Sequence, residues 1–360
     1  MSVSVVCRVA LVVLSLAASS IARAQASGAG AVIRGIVLDP ANGSLGYSVV
    51  SIAGTDRQIL TDDAGRFVFA GLAAGSYRVR ARHLGFLPLD TTVTLTADGT
   101  AELQLRLTHL TVQLSEMRVV APGPCRHPGV PDESTDYWLA TVFGQLRENA
   151  DRAVALATQY PFTYQMQRRV SERTRRFGEY PLKTDTVMFD GDSRWPYHPG
   201  RMISPVNDHG RMSTQLNIPG LVQLADSSFH AAHCFTYGGV QKVKGKRYIR
   251  IDFEPFEGLD SPDIIGTAYL DPDSYQVRRI VMSLTQTEKV GSQITALTVT
   301  STFRELVSSI LVLDSAEAET TLVPPTGGPP VVRVERQKNV DVHFIRATPP
   351  GAITSGATTP

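Results

Sequence analysis

The chain has 360 residues, 42% hydrophobic and 19% charged, and its 35 Lys and Arg nearly cancel 34 Asp and Glu to leave a formal charge of +1. That balance gives no electrostatic basis for nucleic-acid binding, and the length suits two modest domains. Turn signals recur about every dozen residues and only one long helical pattern occurs, so the class is mainly β.

The first segment, residues 1–24, carries one positive charge at Arg8 ahead of an apolar run from Val9 to Ala18. Small residues follow at Ala22-Arg23-Ala24 and again at Ala24-Gln25-Ala26. This is the pattern of a secretory signal peptide, and its apolar run is too short to span a bilayer. Cys7 precedes that run, so the cysteine a lipoprotein needs just after it is missing. The expectation is an exported chain, periplasmic and either associated with the outer membrane or secreted. Loss of Arg8 and Arg23 with the leader takes the formal charge from +1 to −1. No other stretch reaches transmembrane-helix length.

From Ala31 to Ala121 the sequence predicts a β-sandwich. Thr61-Asp62-Asp63-Ala64-Gly65 reads as a tight turn feeding a strand from Arg66 to Phe69, Gly71 and Gly75 bracket a second turn, and Ser76 to Arg82 alternates outward and inward residues. Ile33, Val49, Ile52, Phe67, Phe69, Val79, Leu95, Leu105 and Leu107 belong to the apolar set that two packed sheets require. The Gly-Ile-Val-Leu-Asp opening, the ordered glycines, the Phe67 and Phe69 pair and the closing Tyr77-Arg78-Val79-Arg80 resemble the carboxypeptidase regulatory-like domain. The resemblance implies a seven-stranded, prealbumin-like β-sandwich without catalytic function. Such domains occur beside carboxypeptidase catalytic domains and at the start of TonB-dependent outer-membrane receptors. The strand from Leu110 to Val120 and the following Ala-Pro-Gly-Pro look like the segment that joins this domain to a receptor plug, yet no plug follows. The remaining residues are too few for a plug and a 22-stranded barrel.

Residues 122–133 read as a linker rich in proline and glycine. The second domain, 134–346, is expected as α+β, one long helix with an antiparallel meander. Asp136 caps the helix, and Leu139, Val142, Phe143, Leu146, Ala150, Ala153, Val154 and Ala157 recur at three and four to give one buried face. Arg147, Glu148, Asp151 and Arg152 are read as its solvent side. The clearest strand pair is Lys246 to Phe253 with the run after Gly266, turned at Asp271-Pro272-Asp273-Ser274. Later strands are expected near Thr295 to Phe303, Ile310 to Thr321 and Val331 to Ile345, and residues 347–360 as a disordered tail. The stretches YIRIDFEPF and GTAYLDPDSYQVRRI are similar to strands of periplasmic lipoprotein-carrier proteins. That resemblance implies a curved half-barrel wrapping a helix and holding an acyl chain. An outer-membrane barrel is disfavoured by frequent strand charges such as Arg168, Arg250 and Glu317 and by the lack of aromatic girdles.

Candidate chemistry lies in Cys125, His127, His230, His233 and Cys234. In an oxidising compartment Cys125 and Cys234 are most simply a disulfide. The sharper alternative gathers His127, His230 and His233 with the thiols around zinc, but His230 and His233 would face opposite sides of a strand, and no His-Glu-x-x-His frame exists. No serine-hydrolase elbow, phosphate loop, nucleotide fingerprint or carboxypeptidase His-x-x-Glu motif occurs, and Asp208-His209 reads as an exposed loop pair. Between Gln165 and Tyr180 five arginines, Arg168, Arg169, Arg173, Arg175 and Arg176, face two glutamates. This ribbon is either a guarded, solvated hairpin or a contact for phosphate-bearing head groups. Trp195 and Tyr197, in a proline-rich loop, could stack on a sugar or a peptide, or pack inward. The sequence therefore reads as a non-enzymatic envelope protein with no cofactor, binding an envelope protein, a glycan or a lipid. Trp195, Tyr197, Arg168, Arg169 and Arg173 are its contact candidates. A carrier of an apolar ligand and a metal-dependent enzyme are the alternatives.

Overall fold

The computed structural model describes residues 30–111, 123–191, 195–208, 211–290, 293–325 and 327–354. The leader expected over 1–24, residues 112–120 of the expected strand, His209 and the last six residues of the expected tail lie outside the described residues.

Seven strands make the first unit: β1 (Ala31–Leu38), β2 (Val49–Ile52), β3 (Gln58–Leu60), β4 (Arg66–Leu72), β5 (Gly75–Arg82), β6 (Leu89–Leu95) and β7 (Thr100–Arg106). They form two sheets, ordered β4-β1-β7 and β3-β2-β5-β6, with β1 antiparallel to β4 and parallel to β7. Alternation does the work here: Ile33, Val50, Ile52, Phe67, Phe69, Val79 and Leu105 point between the sheets and are buried. The Thr61–Gly65 turn is closed by Asp62, which accepts from Arg66 N through Oδ1 at 2.7 Å and from Gly65 N through its carbonyl at 3.0 Å. Gly65 sits at φ 76°, where a side chain is strained.

The second unit begins with α1 (Tyr137–Gln159), whose first turn is capped by Asp136 accepting from Leu139 N at 2.9 Å. Then follow β8 (Phe162–Thr174), β9 (Gly178–Asp190), β10 (Ile203–Asp208), β11 (Arg211–Leu216) and α2 (Ser227–Ala232). The meander is β12 (His233–Val243), β13 (Lys246–Pro255), β14 (Ile264–Leu270), β15 (Val277–Leu284), β16 (Ile294–Val307), β17 (Ile310–Leu322) and β18 (Val331–Phe344). One nine-stranded sheet, β12-β13-β14-β15-β16-β17-β18-β8-β9, is antiparallel throughout and leaves β12 and β9 as edges, while β10 and β11 pair apart from it. The predicted turn at 271–274 is present, with Asp271 Oδ1 accepting from Asp273 N and Ser274 N at 3.0 and 2.9 Å.

α1 lies across this sheet. Val142, Phe143, Leu146 and Ala150 pack with Ile251, Phe253, Ile280 and Val299 in one core, into which Tyr197, Met202, Leu224 and Phe229 also fill. Each large apolar side chain buried there contributes about 1.5–3 kcal/mol. Three sequence expectations are corrected. Glu148 and Arg152 do not face solvent: they are 4% and 0% exposed, because the sandwich covers the side of α1 away from the sheet. His230 and His233 do not share a strand, since Asp226 accepts from Ser228 N and starts the short α2, which holds His230, before β12 begins at His233. Residues 349–354 are packed against the body: Tyr47 donates its hydroxyl to Pro350 O, and Ile353 N donates to Leu306 O at 2.7 Å.

Candidate functional site

The seam between sandwich and helix is built from a second stripe on α1. Gln145, Glu148, Asn149 and Arg152 recur at three and four, and all four are buried. Gly85 N donates to Gln145 Oε1 at 2.7 Å, which ties the segment after β5 to the helix. Asn149 bridges the other way, donating to Tyr275 O at 3.0 Å and accepting from Val277 N at 3.1 Å. Arg82, at the end of β5, reaches Asp151 Oδ2 at 2.7 Å and Glu148 Oε2 at 3.0 Å. Burial opposes the charge on Arg82, but Glu148 and Asp151 outweigh it and raise its pKa. Burial raises the Glu148 pKa, against the pull of Arg82 and Arg152. The fully buried Arg152 guanidinium is lowered to about 10, mainly by desolvation. It donates to His83 Nδ1 at 3.2 Å and to Ser309 O at 3.3 Å. The same ring nitrogen of His83 lies 3.0 Å from Ser48 Oγ. Burial, then Arg152, holds its pKa well below the usual histidine range.

Beside this network opens a cleft of about 480 Å³. The sandwich contributes Arg80, Arg82, Phe86 and Leu87; the segment before the helix contributes Val130 and Pro131; α1 contributes Tyr137, Phe143, Gly144, Glu148 and Asp151. Its size falls within the range of small-ligand sites. Glu148 and Arg80 belong to the cleft lining, and among the described residues the buried atoms Glu148 Oε1 and Arg80 Nε have no hydrogen-bond partner.

Cys125 and Cys234 are joined, with Cα atoms 5.5 Å apart and a sequence separation of 109. The bond fastens the segment before α1 to β12, and just after β13 Glu257 N donates to Cys125 O at 2.8 Å. His127 is exposed. The His230 ring lies 2.7 Å from Leu224 O, and burial lowers its pKa. His233 places its two ring nitrogens 2.9 Å from Phe229 O and 3.1 Å from Ile264 O; burial lowers its pKa, against Asp263, which raises it. These partners take up both histidines, and among the described residues no group of three or more His, Cys, Asp or Glu could hold a metal ion.

Tyr197 is 1% exposed, stacked edge-on against Phe229, and donates its hydroxyl to Asp263 at 2.6 Å. Its ring and hydroxyl are satisfied inside the core, and the half-buried Trp195 packs against the same cluster. The arginine ribbon is matched across the sheet: Arg168 reaches Asp185, and Arg173 reaches Glu319 at 2.8 Å. The Arg169 guanidinium donates to Gln167 Oε1 at 3.4 Å. The sequence places Glu148 on the solvent side of α1 and does not single out Gly144; the polar stripe Gln145, Glu148, Asn149 and Arg152 at three-four spacing is the visible signal of the seam.

Residues 32–108 match the family described as carboxypeptidase regulatory-like domain. No curated protein matches the sequence. Among solved structures, the chain is similar to a cohesin–X-dockerin complex from Acetivibrio cellulolyticus at 22% identity, covering 22% of this chain and 57% of that one, with a TM-score of 0.19. It spans less than two thirds of that protein's length. It is also similar to a DUF1329 family protein from Desulfovibrio piger at 10% identity, covering 58% of this chain and 94% of that one, with a TM-score of 0.33. A LolA superfamily protein from Nitrosomonas europaea aligns at 8% identity over 57% and 94%, with a TM-score of 0.29. Similarity at these TM-scores transfers no function to this chain.

Proposed function

We propose that this chain, whose residues 32–108 form a carboxypeptidase regulatory-like domain, is an exported, non-enzymatic binding protein of the cell envelope that holds its partner in the seam cleft. The carrying observation is the cleft itself, which opens where the sandwich and α1 meet and keeps a buried acceptor, Glu148 Oε1, unpaired. The leader pattern and the Cys125–Cys234 bond support an oxidising compartment. The sandwich and the helix-sheet unit act as one body, because Arg82, Gln145 and Arg152 bridge them and Tyr47, Val49 and Leu60 share a core with Ala155, Leu156 and Phe344.

A carrier of an acyl chain needs an apolar hollow beneath the sheet. That face is occupied by α1 and by Phe229, Leu224 and Met202, which favours the seam over the sheet as the binding place. Native mass spectrometry of protein isolated from the envelope, with and without reductant, tests the reading. The expected species begins after Ala24 or Ala26, weighs two hydrogens less than the reduced form and carries no lipid. A lipid-sized adduct released on denaturation would replace this reading with the carrier.

A further inference from the structure

We infer that the seam cleft takes an uncharged, apolar-rich peptide segment, which runs over Gly144 and donates a backbone N–H to Glu148. The inference rests on the cleft being the binding place and adds the class of its occupant.

Two independent observations carry it. Gly144 lies inside α1, where glycine is among the poorest helix formers, and yet a Cβ built on it would meet no atom of the described residues within 4 Å beyond its own stretch of helix. No packing among the described residues explains the glycine, and it lines the cleft. A missing side chain there lets another backbone approach the helix closely. Glu148, one turn further along, is 4% exposed; its Oε2 faces Arg82 at 3.0 Å, and its Oε1 has no hydrogen-bond partner among the described residues. A buried carboxylate oxygen without a donor is disfavoured, so a ligand N–H there is strongly selected.

Charge then narrows the class. Arg80, Arg82 and Arg147 in the lining are balanced by Glu133, Glu148 and Asp151, so a ligand with net charge of either sign would upset a neutral set. The mouth mixes aliphatic, proline and aromatic side chains, with Leu87, Val130 and Tyr137 38%, 49% and 49% exposed beside Pro88 and Pro131. Such an irregular rim suits the varied apolar side chains of a peptide, whose backbone the open face at Gly144 admits.

The test selects a phage-displayed library of random heptapeptides on the oxidised full-length mature chain. Enriched peptides are synthesised and titrated by calorimetry against the wild type, Gly144→Leu and Glu148→Gln. The expected peptides are apolar and of low net charge, and each variant weakens them tenfold or more. Gly144→Leu is expected to melt no lower than the wild type, so its loss of binding cannot come from unfolding. Enriched peptides that are highly charged, or that bind Gly144→Leu normally, overturn the inference. If no peptide is enriched but a panel of neutral oligosaccharides binds with an affinity that Gly144→Leu abolishes, the peptide class is wrong and the cleft stands. If neither probe binds in a way that depends on Gly144, both fall.

Discussion

Replacing Cys125 and Cys234 by alanine tests how the segment before α1 is held. The bond closes 109 residues of chain, and the loop-entropy relation for that length gives about 16 cal/mol/K, or about 4.8 kcal/mol at room temperature. The native side of the balance should change little. Glu257 N still donates to Cys125 O at 2.8 Å and Gly129 N to His233 O at 3.0 Å, so the backbone keeps its place without the sulfur atoms. The loss therefore comes from releasing the unfolded chain. Urea titrations followed by far-ultraviolet circular dichroism compare the oxidised wild type, the double alanine variant and the reduced wild type. With a denaturant slope near 3 kcal/mol/M, the midpoint should fall by about 1.5 M, and equally for the variant and the reduced protein. A fall below about 0.3 M would refute the reasoning, showing that the bond closes a loop already restrained in the unfolded chain.

His83 and His230 are buried with lowered pKa values, so the unfolded chain binds their protons first. Stability is then full above about pH 6.5 and is lost as pH falls below it, by up to about 1.4 kcal/mol per pH unit for each ring. Chemical denaturation at pH 7, 6 and 5 measures that slope, and a flat profile contradicts the assignment. Glu148→Ala removes the carboxylate that Arg82 contacts at 3.0 Å and whose field supports the charge on the fully buried Arg152, and should cost about 3–5 kcal/mol, read from the same titrations. In the sandwich, Gly35→Ala drives a Cβ into Leu103 O and to 2.8 Å from the Phe67 ring, and a loss of about 1–3 kcal/mol in thermal melts is expected.

Elements governed by local chemistry were legible in the sequence. The Asp62 and Asp271 turns, the Asp136 cap and the Leu139 to Ala150 stripe depend on neighbours within a few residues, and each is in place. The strands expected from Ile310 and Val331 run to Leu322 and Phe344, within a residue of the reading. Glu148 and Arg152 were misread because a polar residue facing a polar seam has the same local pattern as one facing water. Only the packing of the sandwich on α1, a contact between residues about 70 apart, separates the two cases. Tyr197 was ambiguous for a related reason, since its burial is decided by Asp263, 66 residues away. Gly144 gave no signal that distinguishes a tolerated helix glycine from one that keeps space open.

The seam cleft as the binding place is tested most directly by photo-crosslinking in intact cells that export the protein. Benzoylphenylalanine is placed at Tyr137, on the cleft mouth, and in a second protein at Met188 on the β9 edge, 57% exposed. The account predicts a discrete adduct from position 137 that disappears when Gly144→Leu is added, with no equivalent from position 188. An adduct that survives Gly144→Leu, or one that forms from position 188 alone, would contradict it.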